Sequence, residues 1–253
     1  MLKFIGTGSA FNTELLNTSA YIKNNDTLLL IDCGETVFSQ IKKLNLLEGV
    51  KNVYIAITHL HSDHVGSLAT LIEYLNIFCD IVPNIILTND DSNETQEQNI
   101  TKFLELQAVV EGDYEYTYAD MLEDVLPDLI KVELVEIKHS SKLTSYAVEL
   151  YFKNQTIYYT GDNNDKSYLK SIAKKLKEND LVYTDCTNQE YDGRVHVSVK
   201  ELSDIFNQKQ RKQVITMHFD SYECLADAKD VGFNTATNEI AIAELLKKLA
   251  VRN

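Results

Sequence analysis

Three of the six histidines in this 253-residue chain stand within one six-residue string. His59 and His61 are separated by one residue, and Asp63 and His64 follow shortly after them. Two histidines spaced in this way can turn towards one metal ion, and the Asp and His behind them can reach a second. Zinc binds imidazole nitrogens and carboxylate oxygens readily, and a catalytic zinc site keeps one position open for water. The string therefore predicts a catalytic metal site.

The other three histidines are His139, His196 and His218, each close to the end of a β-like run. A single histidine at a strand end is more often an ordinary residue than a ligand. Asp162, which follows Gly161, likewise reads as a turn residue when it is taken alone. These positions become informative only together with the string.

Apolar periodicity predicts the elements that must position these residues. We predict strands at 2–5, 20–23, 27–31, 53–57, 85–88, 130–138, 145–152, 155–160, 181–184 and 213–217. We predict helices at 36–46, 65–78, 94–109, 166–177, 199–206 and 235–251. Asn154-Gln155 indicates a hairpin turn. Strand pairs interleaved with helices, in two similar halves, indicate an α/β fold of one domain (1–253) with two packed sheets and helices outside.

The composition limits the kinds of molecule that this chain is expected to bind. The net charge is −14, and the chain has only three arginines. Proteins bind long nucleic acids mainly through Lys and Arg contacts to phosphate, so this charge argues against a long nucleic acid as the partner. The alternative explanation of the acidic surface is that it only aids solubility. No apolar run approaches the roughly 20 residues that span a bilayer, and the opening residues lack a signal-peptide pattern. The four cysteines are widely spaced, and we expect a cytoplasmic protein with reduced thiols.

The string His59-Leu60-His61-Ser62-Asp63-His64 matches the His-x-His-x-Asp-His signature of the metallo-β-lactamase superfamily. Segments 4–10, 29–35 and 217–222 resemble the RNase Z branch of that superfamily, as does Gly161-Asp162. The resemblance implies an αββα sandwich of two mixed sheets. Only 22 residues separate His139 from Asp162, which leaves no room for the arm that grips tRNA in RNase Z. The chain is most similar to the arm-less anti-Pycsar phosphodiesterases of phages and their bacterial homologues.

This resemblance assigns roles residue by residue. It implies two zinc ions per chain, although manganese or iron also suits such ligands. One ion would be held by His59, His61 and His139, the other by Asp63, His64 and His218, with Asp162 bridging the two. Asp32 would orient a ligating histidine by accepting its second N–H; the alternative is a simple strand-end turn.

Three residues are predicted to be catalytic: His196, Asp185 and Asp63, the last also a metal ligand. His196 matches the histidine of the RNase Z branch that binds no metal, and Asp185 stands where a carboxylate would support it. Such a pair suits general-acid work. Read alone, His196 is also an ordinary histidine at the start of a helix.

The resemblance implies a homodimer that hydrolyses 3′,5′-cyclic mononucleotides, used as antiviral signals, to 5′-monophosphates. One alternative is an RNase Z-type tRNA 3′-end endonuclease. Another, of a different class, is a non-catalytic sponge that binds a nucleotide. Segment 107–128 is acidic, with alternating Tyr114, Tyr116 and Tyr118. It fits a dimer contact, a lid over the site, or a helical insertion with surface tyrosines.

Overall fold

The structure is a computed structural model that describes residues 1–89, 93–189 and 193–238. Within these residues, the strands form two six-stranded sheets. The first sheet has the spatial order β1 (Lys3–Gly6), β2 (Ser19–Asn24), β3 (Thr27–Ile31), β4 (Asn52–Ala56), β5 (Asn84–Leu87), β6 (Glu115–Tyr118). The second has the order β12 (Asn234–Thr235), β11 (Val214–Met217), β10 (Leu181–Asp185), β9 (Gln155–Tyr159), β8 (Ser145–Phe152), β7 (Leu129–Ile137).

The helices of the described residues are, in chain order, α1 (Val37–Lys43), α2 (Ser62–Val65), α3 (Leu68–Tyr74), α4 (Asn93–Glu105), α5 (Lys166–Lys175), α6 (Val199–Ile205) and α7 (Tyr222–Asp230). A π-helical turn at Leu75–Cys79 follows α3, and 3-10 turns occupy Ala119–Met121 and Gln210–Gln213. None of these helices is both long enough and apolar enough to cross a membrane.

Three apolar clusters hold the layers together. Leu29 and Ile31 of β3 belong to the cluster between the two sheets. Leu28 and Leu30 of the same strand pack instead with residues of α1, α3 and α4 on the outer side of the first sheet. This alternation is the period of two expected of a strand that is buried on both faces. Residues of α5, α6 and α7 cover the outer side of the second sheet. The predicted sandwich of two packed sheets with helices outside is confirmed.

Both sheets are mixed, and both place their parallel strands with the carboxyl ends at one edge. Strands β3 to β6 are parallel, and β1, β2 and β3 form an antiparallel meander. Strands β9 to β12 are likewise parallel, and β7, β8 and β9 form the second meander. Because β7 and β9 both run antiparallel to β8, β7 ends at the same edge as the parallel strands. Ligand sites of open α/β sheets lie at such an edge.

The helix predicted at 65–78 is interrupted at Gly66-Ser67: only Val65 belongs to α2, and the rest forms α3 and the π-helical turn after it. A Cβ atom at Gly66 would lie 2.4 Å from Cγ of Glu35, so the chain passes too close to Glu35 for any other residue. The hydroxyl of Ser67 donates to the carbonyl of Gly34 at 2.6 Å. These contacts fix a turn at 66–67 that the apolar periodicity does not reveal.

The structure also differs from the predicted elements in segment 107–128, at helix α7 and after residue 234. Segment 107–128 contains β6, paired with β5, so its interpretation as a helical insertion is wrong. Helix α7 is not among the predicted helices. Of the helix predicted at 235–251, Thr235 ends β12, and the residues after 238 lie outside the described part of the chain. The predicted hairpin is present, but its turn lies one residue earlier than predicted. Phe152 pairs with Gln155, so Lys153 and Asn154 form the turn.

Candidate metal centre

The predicted site residues gather at one edge of the sandwich. They lie at strand ends or in the segments that follow them: Asp32 after β3, residues 59–64 between β4 and the end of α2, His139 after β7, Asp162 after β9, Asp185 at the end of β10, His196 between β10 and α6, and His218 after β11. Asp32 and His218 adopt left-handed backbone, with φ of 64° and 59°. Left-handed backbone costs a non-glycine residue about 1–2 kcal/mol. Such strain persists where the surrounding structure fixes a side chain for function.

A first cluster of four side chains contains His59, His61, His139 and Asp162. The Nε2 atoms of His59 and His139 lie 3.8 and 3.6 Å from Oδ2 of Asp162. Nδ1 of His61 lies 2.8 Å from Nε2 of His59 and 3.4 Å from Nε2 of His139. Four ligands placed tetrahedrally at zinc distances are about 3.3 Å apart, so the spacing of these donors fits one ion.

A second cluster contains Asp63, His64, His218 and, again, Asp162. Nε2 of His218 lies 3.2 Å from Oδ2 of Asp63 and 3.2 Å from Oδ1 of Asp162. Nε2 of His64 lies 3.4 Å from Oδ2 of Asp63 and 3.3 Å from Oδ1 of Asp162. Asp162 therefore turns one oxygen to each cluster, as a bridging ligand must.

Unpaired polar atoms support a cation in the second cluster. Nε2 of His64 and Oδ1 of Asp162 are both buried without a hydrogen-bond partner. A buried polar atom without a partner costs about 1–3 kcal/mol, and more when it is charged. A divalent cation between these two atoms removes that cost. The donors present therefore fit metal ions.

Three of the histidines are oriented by hydrogen bonds from their Nδ1 atoms. Nδ1 of His64 donates to Oδ2 of Asp32 at 2.8 Å, which is the contact predicted for Asp32. Nδ1 of His139 donates to the carbonyl of Val195 at 3.0 Å. Nδ1 of His59 lies 3.1 Å from Oγ1 of Thr58, whose own proton goes to Asp32. Each bond fixes the tautomer and leaves the Nε2 lone pair facing the cluster.

Burial and neighbouring charges keep the donors in their metal-binding forms. Burial lowers the pKa of His59 well below its ordinary value, and the charge of His64 lowers it further. Burial also lowers the pKa of His61. Burial opposes ionisation of Asp162, but the charges of His218 and His64 outweigh it and hold the pKa of Asp162 well below its ordinary value. Neutral imidazole and ionised carboxylate are the forms that bind a metal.

His64 shows that the second cluster attracts positive charge. Burial opposes its protonation, but the carboxylates of Asp162 and Asp32 raise the pKa of His64 well above its ordinary value. Burial likewise opposes ionisation of Asp63, yet the adjacent rings of His218 and His64 hold the pKa of Asp63 well below its usual range. A divalent cation supplies the positive charge that these carboxylates need, and His64 can then bind it as a neutral imidazole.

His196 and Asp185 form a separate pair beside both clusters. Nδ1 of His196 donates to Oδ2 of Asp185 at 2.8 Å. The ring centroid of His196 lies 5.2 Å from that of His139 and 5.1 Å from that of His218. Burial lowers the pKa of His196, but the hydrogen bond to Asp185 and the charge of Asp162 outweigh it and raise the pKa to about 9. A proton on Nε2 of His196 therefore points away from Asp185, towards the site.

A cavity of about 500 Å³ opens onto the clusters and is lined by Ser9, Ala10, Phe11, Glu35, His61, Ser62, Asp63, His139, Asp162, Val195, His196, His218 and Asp220. A larger cavity of about 710 Å³ lies beside β1, β11 and β12, and no predicted site residue lines it. We therefore place the chemistry in the smaller cavity.

Sequence reasoning gave no role to several residues of this site. Thr58 bonds both Asp32 and His59, and Phe11, Glu35 and Asp220 line the cavity. Thr58 stands next to the histidine string, which was a usable signal. The others are far from it in sequence, and only the fold brings them to the site.

Comparison with known proteins agrees with this architecture. A family model described as Anti-Pycsar protein Apyc1 matches residues 1–239. A relative of that name from Bacillus phage 010DV004 is 27% identical over 238 residues, covering 86% of this chain and 88% of the relative.

Two crystal structures share the fold. The metallo-β-lactamase fold protein YhfI from Bacillus subtilis superposes with a TM-score of 0.67 at 16% identity, covering 94% of this chain and 96% of that protein. The short form of human tRNase Z superposes with a TM-score of 0.61 at 17% identity, covering 93% and 95%. The chain therefore has the metallo-β-lactamase fold, and its clustered His and Asp donors could hold divalent metal ions. By the match over residues 1–239, the chain belongs to the Anti-Pycsar protein Apyc1 family.

Proposed function

We propose that this protein is a phosphodiesterase with two zinc ions that hydrolyses 3′,5′-cyclic mononucleotides to 5′-monophosphates. Manganese is the alternative metal. The observation that carries the proposal is the His196–Asp185 pair, which lies beside two donor clusters that share Asp162. A proton donor next to a paired-metal site is what cleavage of a phosphodiester requires. Relatives named as anti-Pycsar proteins support a nucleotide signal as the substrate.

When bound, two metal ions supply an activated water and neutralise charge on the phosphate oxygens. The chain's own residues orient the ligands and manage the proton. Asp32 and the carbonyl of Val195 hold His64 and His139 in the tautomer that leaves Nε2 free. Asp185 holds Nδ1–H of His196, so that Nε2–H can be donated to the leaving 3′ oxygen. The hydrogen bond to Asp185 raises the pKa of His196 and so favours the protonated form that a general acid needs.

The cavity favours a small substrate over a folded RNA. Its described lining contains the carboxylates of Glu35 and Asp220 and no Lys or Arg side chain. A volume of about 500 Å³ lies within the range of sites for small molecules. A tRNA would bring many phosphates to this acidic lining.

The substrate class is tested with zinc-loaded protein, a panel of 3′,5′-cyclic nucleotides and a precursor tRNA. We expect cyclic mononucleotides to be converted to 5′-monophosphates and the tRNA to stay intact, as resolved by chromatography and gel electrophoresis. Cleavage of the tRNA alone would replace the proposal with RNA processing.

His196→Ala separates an enzyme from a nucleotide-binding sponge. We expect the rate to fall by about 10²- to 10⁴-fold while the metal content stays at the wild-type level, because His196 moves a proton and binds no metal. Metal content is measured by elemental mass spectrometry. A sponge would show no turnover in the wild type and unchanged nucleotide binding in the variant. The homodimer stays a prediction, for which sedimentation velocity is the measurement.

A further inference from the structure

Phe11 is the most exposed large apolar side chain in the described part of the molecule, with 95% of its surface accessible. Single exposed apolar side chains are common and need no explanation by themselves. Phe11 differs in its position, because it lines the same cavity as His61, Asp63 and Asp162. A ligand in that cavity can cover the phenyl ring and so remove apolar surface from water, which favours binding.

The turn that carries Phe11 is held firmly to the metal centre. Backbone N–H of Asn12 donates to the carbonyl of Ser9 at 3.1 Å and closes a turn around residues 10 and 11. Ser9 N–H and the Asn12 side-chain amide both donate to the carbonyl of Phe219, at 3.1 and 3.0 Å. Phe219 is fully buried and follows His218 directly. The backbone at Phe11 is therefore held in place relative to the clusters before any ligand arrives, which lowers the entropy cost of binding.

The cavity has a charged floor and one flat apolar group at its rim. Apart from the histidines, Phe11 is the only aromatic residue in its described lining. The acidic Glu35 and Asp220 also line it and would repel a phosphate. The clusters at the floor would hold the phosphate through their metal ions, and the uncharged end of the substrate belongs beside Phe11.

We infer that Phe11 is the platform on which the base of the substrate stacks, which makes it a specificity-determining residue. The inference rests on the proposed function, since it names the part of the cyclic nucleotide that faces the rim. Every base has a π-face, so stacking on phenylalanine provides affinity for nucleosides with little selection among bases. A sugar phosphate without a base would lose this contact.

The test compares two ligands that differ only in the base. Calorimetry measures the binding of adenosine 5′-monophosphate and ribose 5-phosphate to zinc-loaded wild type, Phe11→Ala and Phe11→Trp. We expect Phe11→Ala to weaken nucleotide binding about 10- to 100-fold and to leave ribose 5-phosphate binding unchanged. Phe11→Trp should retain nucleotide binding. Phe78→Ala is the matched control, because Phe78 is 71% exposed in the π-helical turn after α3, outside the cavity lining, and should alter neither ligand.

Equal affinities of the nucleotide for Phe11→Ala and wild type would overturn the inference. A parallel loss of both ligands would also overturn it, because it would place Phe11 in the architecture of the site or in a contact between copies; sedimentation velocity tells these apart. Turnover by the wild type is scored separately. If cyclic nucleotides are not hydrolysed but the base-dependent binding is found, the proposed function fails and the stacking role stands.

Discussion

The two donor clusters share Asp162 but differ in charge and burial. The first combines Asp162 with three imidazoles, and one of these, His61, is only partly buried. The second has two carboxylates, Asp63 and Asp162, and all four of its members are buried. A third carboxylate, Asp32, contacts His64 from behind. The second cluster is therefore built to retain a cation, whereas the first leaves its cation open to the cavity.

Removing the shared ligand should have the largest effect. Asp162→Ala takes one donor from each cluster, so we expect both metal ions to be lost and cyclic-nucleotide hydrolysis to fall by about 10³-fold or more. Metal content and kcat/KM are measured together. Asp162→Asn keeps the size and one oxygen donor, and circular dichroism on both variants separates loss of metal from loss of fold. A variant that keeps two metals and full activity would refute the shared-ligand role.

Asp32→Asn tests mainly the second cluster. The amide accepts the His64 Nδ1 proton more weakly than the carboxylate, so affinity for the second metal should fall about 10- to 100-fold. The affinity of the first cluster should fall less, because Asp32 reaches His59 only through Thr58. Asparagine tolerates left-handed backbone, so the φ of 64° at this position is not disturbed. Competition with a chromophoric chelator measures both affinities. An equal loss at both sites would contradict the assignment of Asp32 to His64.

Chelation of the wild type should be biphasic. The second cluster has an additional carboxylate, and one more charge at this distance contributes about 1–4 kcal/mol. We therefore expect one metal to leave at about tenfold lower chelator concentration than the other. In His61→Ala the more easily removed metal should be absent, whereas His218→Ala should lose the tightly held one. The reverse pattern would show that burial and charge do not rank the two sites.

We expect the smallest effect on activity from a change to Asp185 in the His196–Asp185 pair beside the clusters. Asp185 raises the pKa of His196, so Asp185→Asn should lower it. A general acid works only while protonated, and the alkaline limb of the pH–rate profile should therefore move to lower pH, by about one to three units. Rates at the acid end should change much less. A limb that stays in place would mean that another group sets it.

The sequence predicts the ligands from the two sheets unequally, for a physical reason. Residues 59–64 are contiguous, so one loop after one strand supplies His59, His61, Asp63 and His64, and the pattern is visible without a fold. The second sheet supplies Asp162, as well as His139 and His218, from separate strand ends. Those residues could be assigned only through resemblance to a known family, because nothing local distinguishes them from ordinary turn residues.

The apolar periodicity of the sequence does not predict elements that are stabilised by residues far away in the chain. Helix α7 buries only Cys224 and Ala228, too few apolar residues to show a helical period. Strand β6 alternates polar and aromatic residues at the edge of its sheet, and it is defined by its pairing with β5. The π-face of Phe11 likewise reaches the site through a turn bonded to Phe219, more than 200 residues away. Tertiary contacts of this kind leave no short-range pattern.

Anomalous diffraction at the zinc absorption edge, from crystals of the zinc-loaded protein, tests the central claim most directly. We predict two peaks about 3.5–4 Å apart. One should lie among His59, His61 and His139, and the other among Asp63, His64 and His218, with Asp162 between them. A single peak, or peaks outside these clusters, would contradict a paired-metal centre bridged by Asp162.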